Sequence, residues 1–432
     1  MDRLRPLGRL GSAALCAGAL LVLPGGPASA ALRQPTVAAQ APSARTPHAI
    51  DDDVVPNAAV NAFTQVKGTM YAGGRFRSVQ DPARRTTLTR THVFAFDLAT
   101  GAPTRWAPLL NGEVTALEAD PEGRYLYVGG LFTHTFPSGR VKSLVRFDLA
   151  TGALDSSWEP LIYKGPVLDL QVVSGRLIVA GKFSQKLAAV STTGGKVLSE
   201  LRLPFAGSVA SNAGVVAVTR FTVDPTRTRL VAVGNFSSVG GLERYRAVMI
   251  KLGTTATVAP WSYPPFKNLC KNTAQPDYLR DVDFAPDGSY FVVAATGHVP
   301  ATPEGVGRDV CDAAARFETA VPAPARPTWV NYTGGDTLHS VAVTGAAVYV
   351  GGHQRWLDND ESVDWKGPGA VDRPGVGAID PVTGKALPWN PTKTRGVGTK
   401  VIYPTSTGVW FGSDGKYFGG RVHDSLAFTP TP

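Results

Sequence analysis

Seven short apolar runs, each closing on a glycine-rich break, recur along this chain, and their recurrence constrains the fold more than any other feature. They are Met70 to Phe76 around Gly73-Gly74, Leu126 to Phe132 around Gly129-Gly130, Ile178 to Phe183 around Gly181, Val231 to Phe236 around Gly234, Val292 to Gly297, Tyr349 to His353 around Gly351-Gly352, and Trp410 to Gly412. Spacings of 50 to 62 residues suit one four-stranded antiparallel unit plus its loops. Glycines near a common axis let crowded inner strands approach each other. The expected fold is all-β: a seven-bladed β-propeller of four-stranded antiparallel blades. The 47 Gly and 34 Pro agree with many turns, and a hydrophobic content of 43% supplies a large core.

The strands of each unit are readable in turn. An apolar strand and a tight turn precede each run, as in Val114 to Leu117 before Asp120-Pro121-Glu122-Gly123. A third strand follows and ends on Phe96-Asp97-Leu98-Ala99-Thr100-Gly101, Phe147-Asp148-Leu149-Ala150-Thr151-Gly152 or Ile379-Asp380-Pro381-Val382-Thr383-Gly384. The Asp can cap turn N–H groups while Gly takes positive φ, so these recurring acids are turn residues rather than a catalytic pair. A fourth strand carries Trp near Pro: Trp106 with Pro108, Trp158 with Pro160, Trp261 with Pro264, Trp389 with Pro391; Trp329 stands alone at the same place. The seventh unit stops after its third strand, Ser425 to Phe428. The segment Thr46 to Ile50 is expected to supply the missing outer strand, an N-terminal strand that completes the last blade and closes the ring.

Residues 1–30 read as a signal peptide: Arg3, Arg5 and Arg9, then an apolar stretch from Leu10 to Leu23, then Ala28-Ser29-Ala30 for cleavage. Residues 31–45 read as a disordered leader, and 46–432 as a single domain. Loss of the signal removes three Arg and one Asp, lowering the formal charge from +9 to +7. That excess, without any Lys/Arg run, argues against a nucleic-acid stripe. No later stretch approaches a membrane span of ~18 apolar residues. The expectation is a secreted monomer, extracellular or associated with the cell envelope.

Strand alternation places the short turns on one face and every long loop on the other: 77–91, 237–246, 264–277, 298–313 and 353–374. Long loops on a rigid scaffold are where binding residues gather. Cys270 and Cys311 fall in adjacent loops of that face, so a disulfide suits the exported compartment; two free thiols are the alternative. Hydrolase, metalloprotease, nucleotide and redox motifs are absent, and Ser413-Asp414-Gly415-Lys416 matches S-x-x-K without its companion motifs. The non-repeating residues concentrate in the last two units, and the candidate ligand-binding set is His353, Arg355, Trp356, Asp358, Arg373, Arg395 and Asp414. A Trp ring stacks on apolar faces while Arg forks bind oxygen acids. The competing reading has Arg355 and Arg395 pair with Asp358 or Asp414 only to order the loops. The acidic run Asp358-Asn359-Asp360-Glu361 lacks EF-hand spacing and reads as a solvated loop. No catalytic residue, metal or cofactor is assigned.

With the repeats laid out, the chain resembles secreted bacterial β-propeller proteins of the delta-sixty repeat type. The resemblance rests on Tyr127 to Phe132, on the Phe-Asp-x-x-Thr-Gly unit with Trp and Pro at Phe147 to Pro160, and on the stretch from Gly351 to Gly412, and covers roughly residues 46 to 432. It implies the propeller fold and transfers no catalytic residue. The leading expectation is a secreted non-catalytic protein engaging a glycan or protein partner through the long-loop face. The alternative is a secreted hydrolase or lyase with its active site in the axial funnel.

Overall fold

The computed structural model describes residues 33–432 apart from 137, 138, 142, 161, 163 and 164. The signal segment over 1–30 lies outside the described residues. Seven of the antiparallel sheets of three or four strands follow one another along the chain, and the remaining small sheets join loop segments. The inner strands of the seven are Ala59–Val66, Val114–Ala119, Val167–Val173, Ala217–Val223, Leu279–Phe284, Leu338–Val343 and Thr399–Thr405. Each lies against the next, and the last lies against the first, so the sheets stand in a ring.

The middle strands show why the sequence reads as unbroken apolar runs rather than alternation. Tyr290–Ala295 is buried throughout. Phe291 and Val293 enter one core cluster while Val292 and Ala294 enter the next, so both faces of a sheet are covered by neighbours. The glycines act as expected. A Cβ on Gly73 would sit 2.4 Å from Val114 Cγ1, and one on Gly129 2.5 Å from Val167 Cγ1, so a side chain there would push the next inner strand away. The Asp turns are also as read: Asp97 Oδ1 accepts from the Thr100 N–H at 2.9 Å, and Asp148 and Asp380 repeat the bond to Thr151 and Thr383.

The expected fourth strand is shorter than the repeat implied. Among the described residues it is a strand only in the fourth and fifth sheets, as Thr257–Val258 and Trp329–Tyr332. Elsewhere it shrinks to single bridges, Phe96 to Pro103, Phe147 to Leu154, Val190 to Val197 and Ile379 to Ala386. Proline explains this, because Pro103, Pro160 and Pro388 remove ladder donors from the outer edge. Tryptophan takes over the cohesion: Trp106, Trp158 and Trp329 donate Nε1–H to Gly152, Ser191 and Pro381 carbonyls of the next sheet at 2.9 to 3.0 Å.

Ring closure differs from expectation in which residues perform it. His48–Ile50 does not join the last sheet; it pairs with Ser78–Gln80 of the first long loop. Leu109–Leu110 pairs with His134–Phe136 in the same way. The seventh sheet is instead edged by residues expected to be a disordered leader. Ala39 N–H donates to Pro430 O at 2.7 Å and Ser43 N–H to Phe428 O at 2.8 Å, as Thr104 N–H does to Ala95 O in the first sheet. Trp389 Nε1–H reaches Ala39 O at 3.3 Å, and Ala38 N–H donates to Tyr349 Oη at 2.8 Å. An Ala- and Pro-rich segment can do this because edge pairing uses backbone groups, and an unpaired edge would expose the Leu426–Pro430 ladder.

Candidate functional site

Inner strands begin at the face that carries the long loops, and there the residues of the last three sheets converge. The organising group is Asp336, which follows Gly334-Gly335, both at positive φ. Its carboxylate is almost wholly buried. It accepts Arg355 Nε at 2.8 Å and the Arg355 backbone N–H at 3.0 Å on Oδ2, and Arg395 Nη2 at 2.5 Å on Oδ1. Arg395 Nη2 lies 3.1 Å from His353 Nδ1, and Arg395 Nε donates to the His353 carbonyl. Burial first, then the Arg395 charge, lowers the His353 pKa. Arg355 also approaches Asp364 Oδ1 at 3.5 Å, and Asp364 Oδ2 lies 3.3 Å from His298 Nε2. A continuous chain of acid–base contacts thus runs His298, Asp364, Arg355, Asp336, Arg395 across the face and ends on His353.

The predicted site residues divide into two groups. His353, Arg355, Trp356 and Arg395 come together at Asp336. Trp356 is not an open platform, because the Arg355 guanidinium lies over its ring at 4.2 Å from the centroid. Asp358 accepts Asn331 Nδ2 at 2.6 Å and the Ala386 N–H at 3.1 Å, which fastens its loop to the neighbouring strand. Arg373 donates to the Asp372 carbonyl at 2.6 Å and the Leu387 carbonyl at 2.5 Å. Asp414 accepts the Val397 and Gly398 N–H groups at 2.8 and 2.9 Å. These three order loops, and the acid shared by Arg355 and Arg395 is Asp336 rather than Asp358 or Asp414. Sequence reading passed over Asp336 and the exposed Trp365; the one cue to Asp336 was a Gly-Gly-Asp step directly before an inner strand. Among the described residues no group of His, Cys, Asp and Glu could hold a metal ion.

The cysteines do pair, Cys270 with Cys311, at a Cα separation of 5.8 Å. Closing that loop of 41 residues corresponds to about 4 kcal/mol in the chain-entropy account.

Along the axis, the inner strands enclose a cavity of about 260 Å³. Its carboxyl groups are Glu118, Asp169, Asp281 and Asp283, with Arg220 among them. Each acid ties its own sheet to the next: Glu118 accepts the Val172 N–H, Asp169 that of Phe221, Asp281 that of Val341 and Asp283 that of Val343, all at 2.8 to 2.9 Å. Burial pushes Glu118 up to about 8 and Asp281 and Asp283 up to about 7. These are staples of the ring, and burial disfavours their charged forms.

Solved structures similar to this chain are β-propellers. A structure described as that of U3-55K aligns with a TM-score of 0.54 at 10% identity, covering 90% of this chain and all of that one. The crystal structure of RRP9 WD40 repeats aligns with a TM-score of 0.54 at 9% identity, covering 91% and 99%. At such identity the likeness defines the fold alone, and the fold is a β-propeller. No protein-family model and no curated protein matches the chain.

Proposed function

We propose that this protein is a secreted, non-catalytic binding protein whose seven sheets act as the blades of a propeller of the delta-sixty repeat kind, and whose long-loop face engages a partner protein. The observation that carries the reading is the distribution of exposed apolar side chains. Fourteen large hydrophobic residues are exposed among the described ones; Val321 and Val382 lie at the short turns, and the other twelve lie in connections of the opposite face, with Leu242, Leu269, Val306 and Trp365 inside its long loops. They include Phe136, Trp365, Val397 and Tyr417, each more than half exposed. Contiguous apolar surface marks interaction sites, and this face has the side chains to form one. The expected glycan partner is less favoured, since the one Trp of the charged cluster is covered by Arg355. The Asp336 network keeps the last two long loops in place, and the axial carboxyls are engaged in holding the ring.

The test compares two variants in chemical cross-linking against the protein's own cell-envelope fraction. Trp365→Ala with Tyr417→Ser and Val422→Ser should lose the partner bands, and Val321→Ser with Val382→Ser should keep them. Equal profiles, or loss in the second variant alone, would overturn the assignment of the face.

A further inference from the structure

Every inner strand carries a register shift at the same step, a β-bulge near the long-loop mouth of the ring. The residues standing at that step are Asn61, Thr115, Leu168, Thr219, Arg280, His339 and Lys400 in ring order. Bulges re-aim side chains and occur beside functional sites. In three of the first four sheets the bulge side chain is a staple: Asn61 Nδ2 donates to Val114 O at 3.2 Å, Thr115 Oγ1 to Val167 O at 2.5 Å and Thr219 Oγ1 to Leu279 O at 2.9 Å. In the sixth sheet the neighbouring Ser340 takes the staple, donating to Thr399 O at 3.3 Å. His339 is released to contact the Val397 carbonyl at 3.0 Å.

Arg280 and Lys400 staple nothing. Neither forms an ion pair or a hydrogen bond among the described residues. Arg280 has only the Tyr278 ring, 5.0 Å from its guanidinium carbon, and its Nε is buried without a partner. The carboxylates felt by Lys400 are committed elsewhere: Asp414 to two backbone N–H groups, Glu113 to Asn61 Nδ2 at 2.6 Å. Half-buried cations left unpaired cost free energy that an arriving anion would recover. Burial already lowers Lys400 to about 8, with Arg280 adding to the effect.

We infer that the long-loop mouth of the axial channel is a carboxylate seat, in which Arg280 and Lys400 flank the terminal carboxylate of a polypeptide partner. This rests on the binding-face reading above and names the chemistry that face selects. A chain terminus fits better than an internal acid because Arg280 and Lys400 each stand one residue inside the long-loop end of an inner strand, where an extended end can approach along the axis. A peptide is favoured over an acidic sugar by the exposed apolar side chains of the same face, among them Val397, whose carbonyl holds His339.

Two fluorescent pools of randomised, N-acetylated octapeptides test this, one ending in a free carboxylate and one in an amide, with a pool of uronate oligosaccharides beside them. Fluorescence anisotropy should show the free-carboxylate pool bound at least about tenfold more tightly than the amide pool, the size of one charge-assisted contact. Arg280→Gln with Lys400→Met should abolish the difference while keeping or raising the melting temperature, since it removes unpaired charge. Equal binding of the two peptide pools, or a variant that still discriminates, overturns the seat. Uronate binding that depends on the two cations, without peptide binding, overturns the assignment to a polypeptide. If the Trp365, Tyr417 and Val422 variant loses peptide binding while the double variant retains the carboxylate preference, the seat is wrong and the binding face stands. If neither variant changes it, both fall.

Discussion

Replacing Glu118 with glutamine should flatten part of the pH dependence of folding. Glu118 is 5% exposed in the axial channel, with Oε1 2.9 Å from the Val172 N–H. Burial pushes its pKa from 4.5 to about 8, against the Val172 hydrogen bond; the Asp169 charge acts with burial and that of Arg227 against it. The folded carboxyl therefore keeps a proton that the unfolded chain releases. Its contribution to stability is full below the unfolded pKa and is lost as pH rises through the folded one. At about 1.4 kcal/mol per unit, the loss between those limits is on the order of 5 kcal/mol. Glutamine keeps an acceptor oxygen for Val172 and does not titrate. Urea denaturation followed by circular dichroism should show the two proteins within about 1 kcal/mol of each other near pH 5, and the variant ahead by several kcal/mol near pH 9. Asp281 and Asp283 titrate in the same direction in both proteins, so the comparison isolates Glu118. A gap that does not change with pH would refute the claim that this carboxyl is uncharged in the folded ring.

Asp336→Ala should cost about 3 kcal/mol, the lower end for breaking a buried pair because Arg355 and Arg395 are each a third exposed; urea melts measure it, and limited proteolysis should cut first within 353–374. Cys270→Ser with Cys311→Ser should lower stability by about 2 to 4 kcal/mol while leaving the far-ultraviolet spectrum unchanged. Deleting residues 33–45 should leave the Leu426–Pro430 edge unpaired and make the protein associate with rising concentration, which sedimentation velocity would detect. A sedimentation coefficient unchanged from that of the full chain over the same concentrations would show that residues 33–45 do not close the ring.

Features repeated from sheet to sheet were readable from the chain because the same packing demand recurs. Gly73 and Gly129 are glycines because a Cβ there would collide with Val114 or Val167 of the next inner strand, and the Asp97 turn is a local device needing only its own loop. What escaped reading depends on contacts between distant segments. Residues 39–43 pair with Phe428 and Pro430 through backbone alone, so composition carried no sign of it. Asp336 gains its role only when Arg355 and Arg395 arrive from two different loops. The bulge residues acquire a common position only through strand register, which hydrophobic alternation does not reveal across an inserted residue. Trp356 was rightly placed beside Arg355, but the same proximity covers the ring.

The central claim, that the long-loop face binds, is tested most directly by hydroxyl-radical footprinting of the protein alone and with its cross-linked partner, read out by mass spectrometry. The account predicts that Trp365, Tyr417, Val422 and Phe136 become protected while Val321 and Val382 keep their reactivity. Protection of Val321 and Val382, with the long-loop residues unchanged, would contradict it.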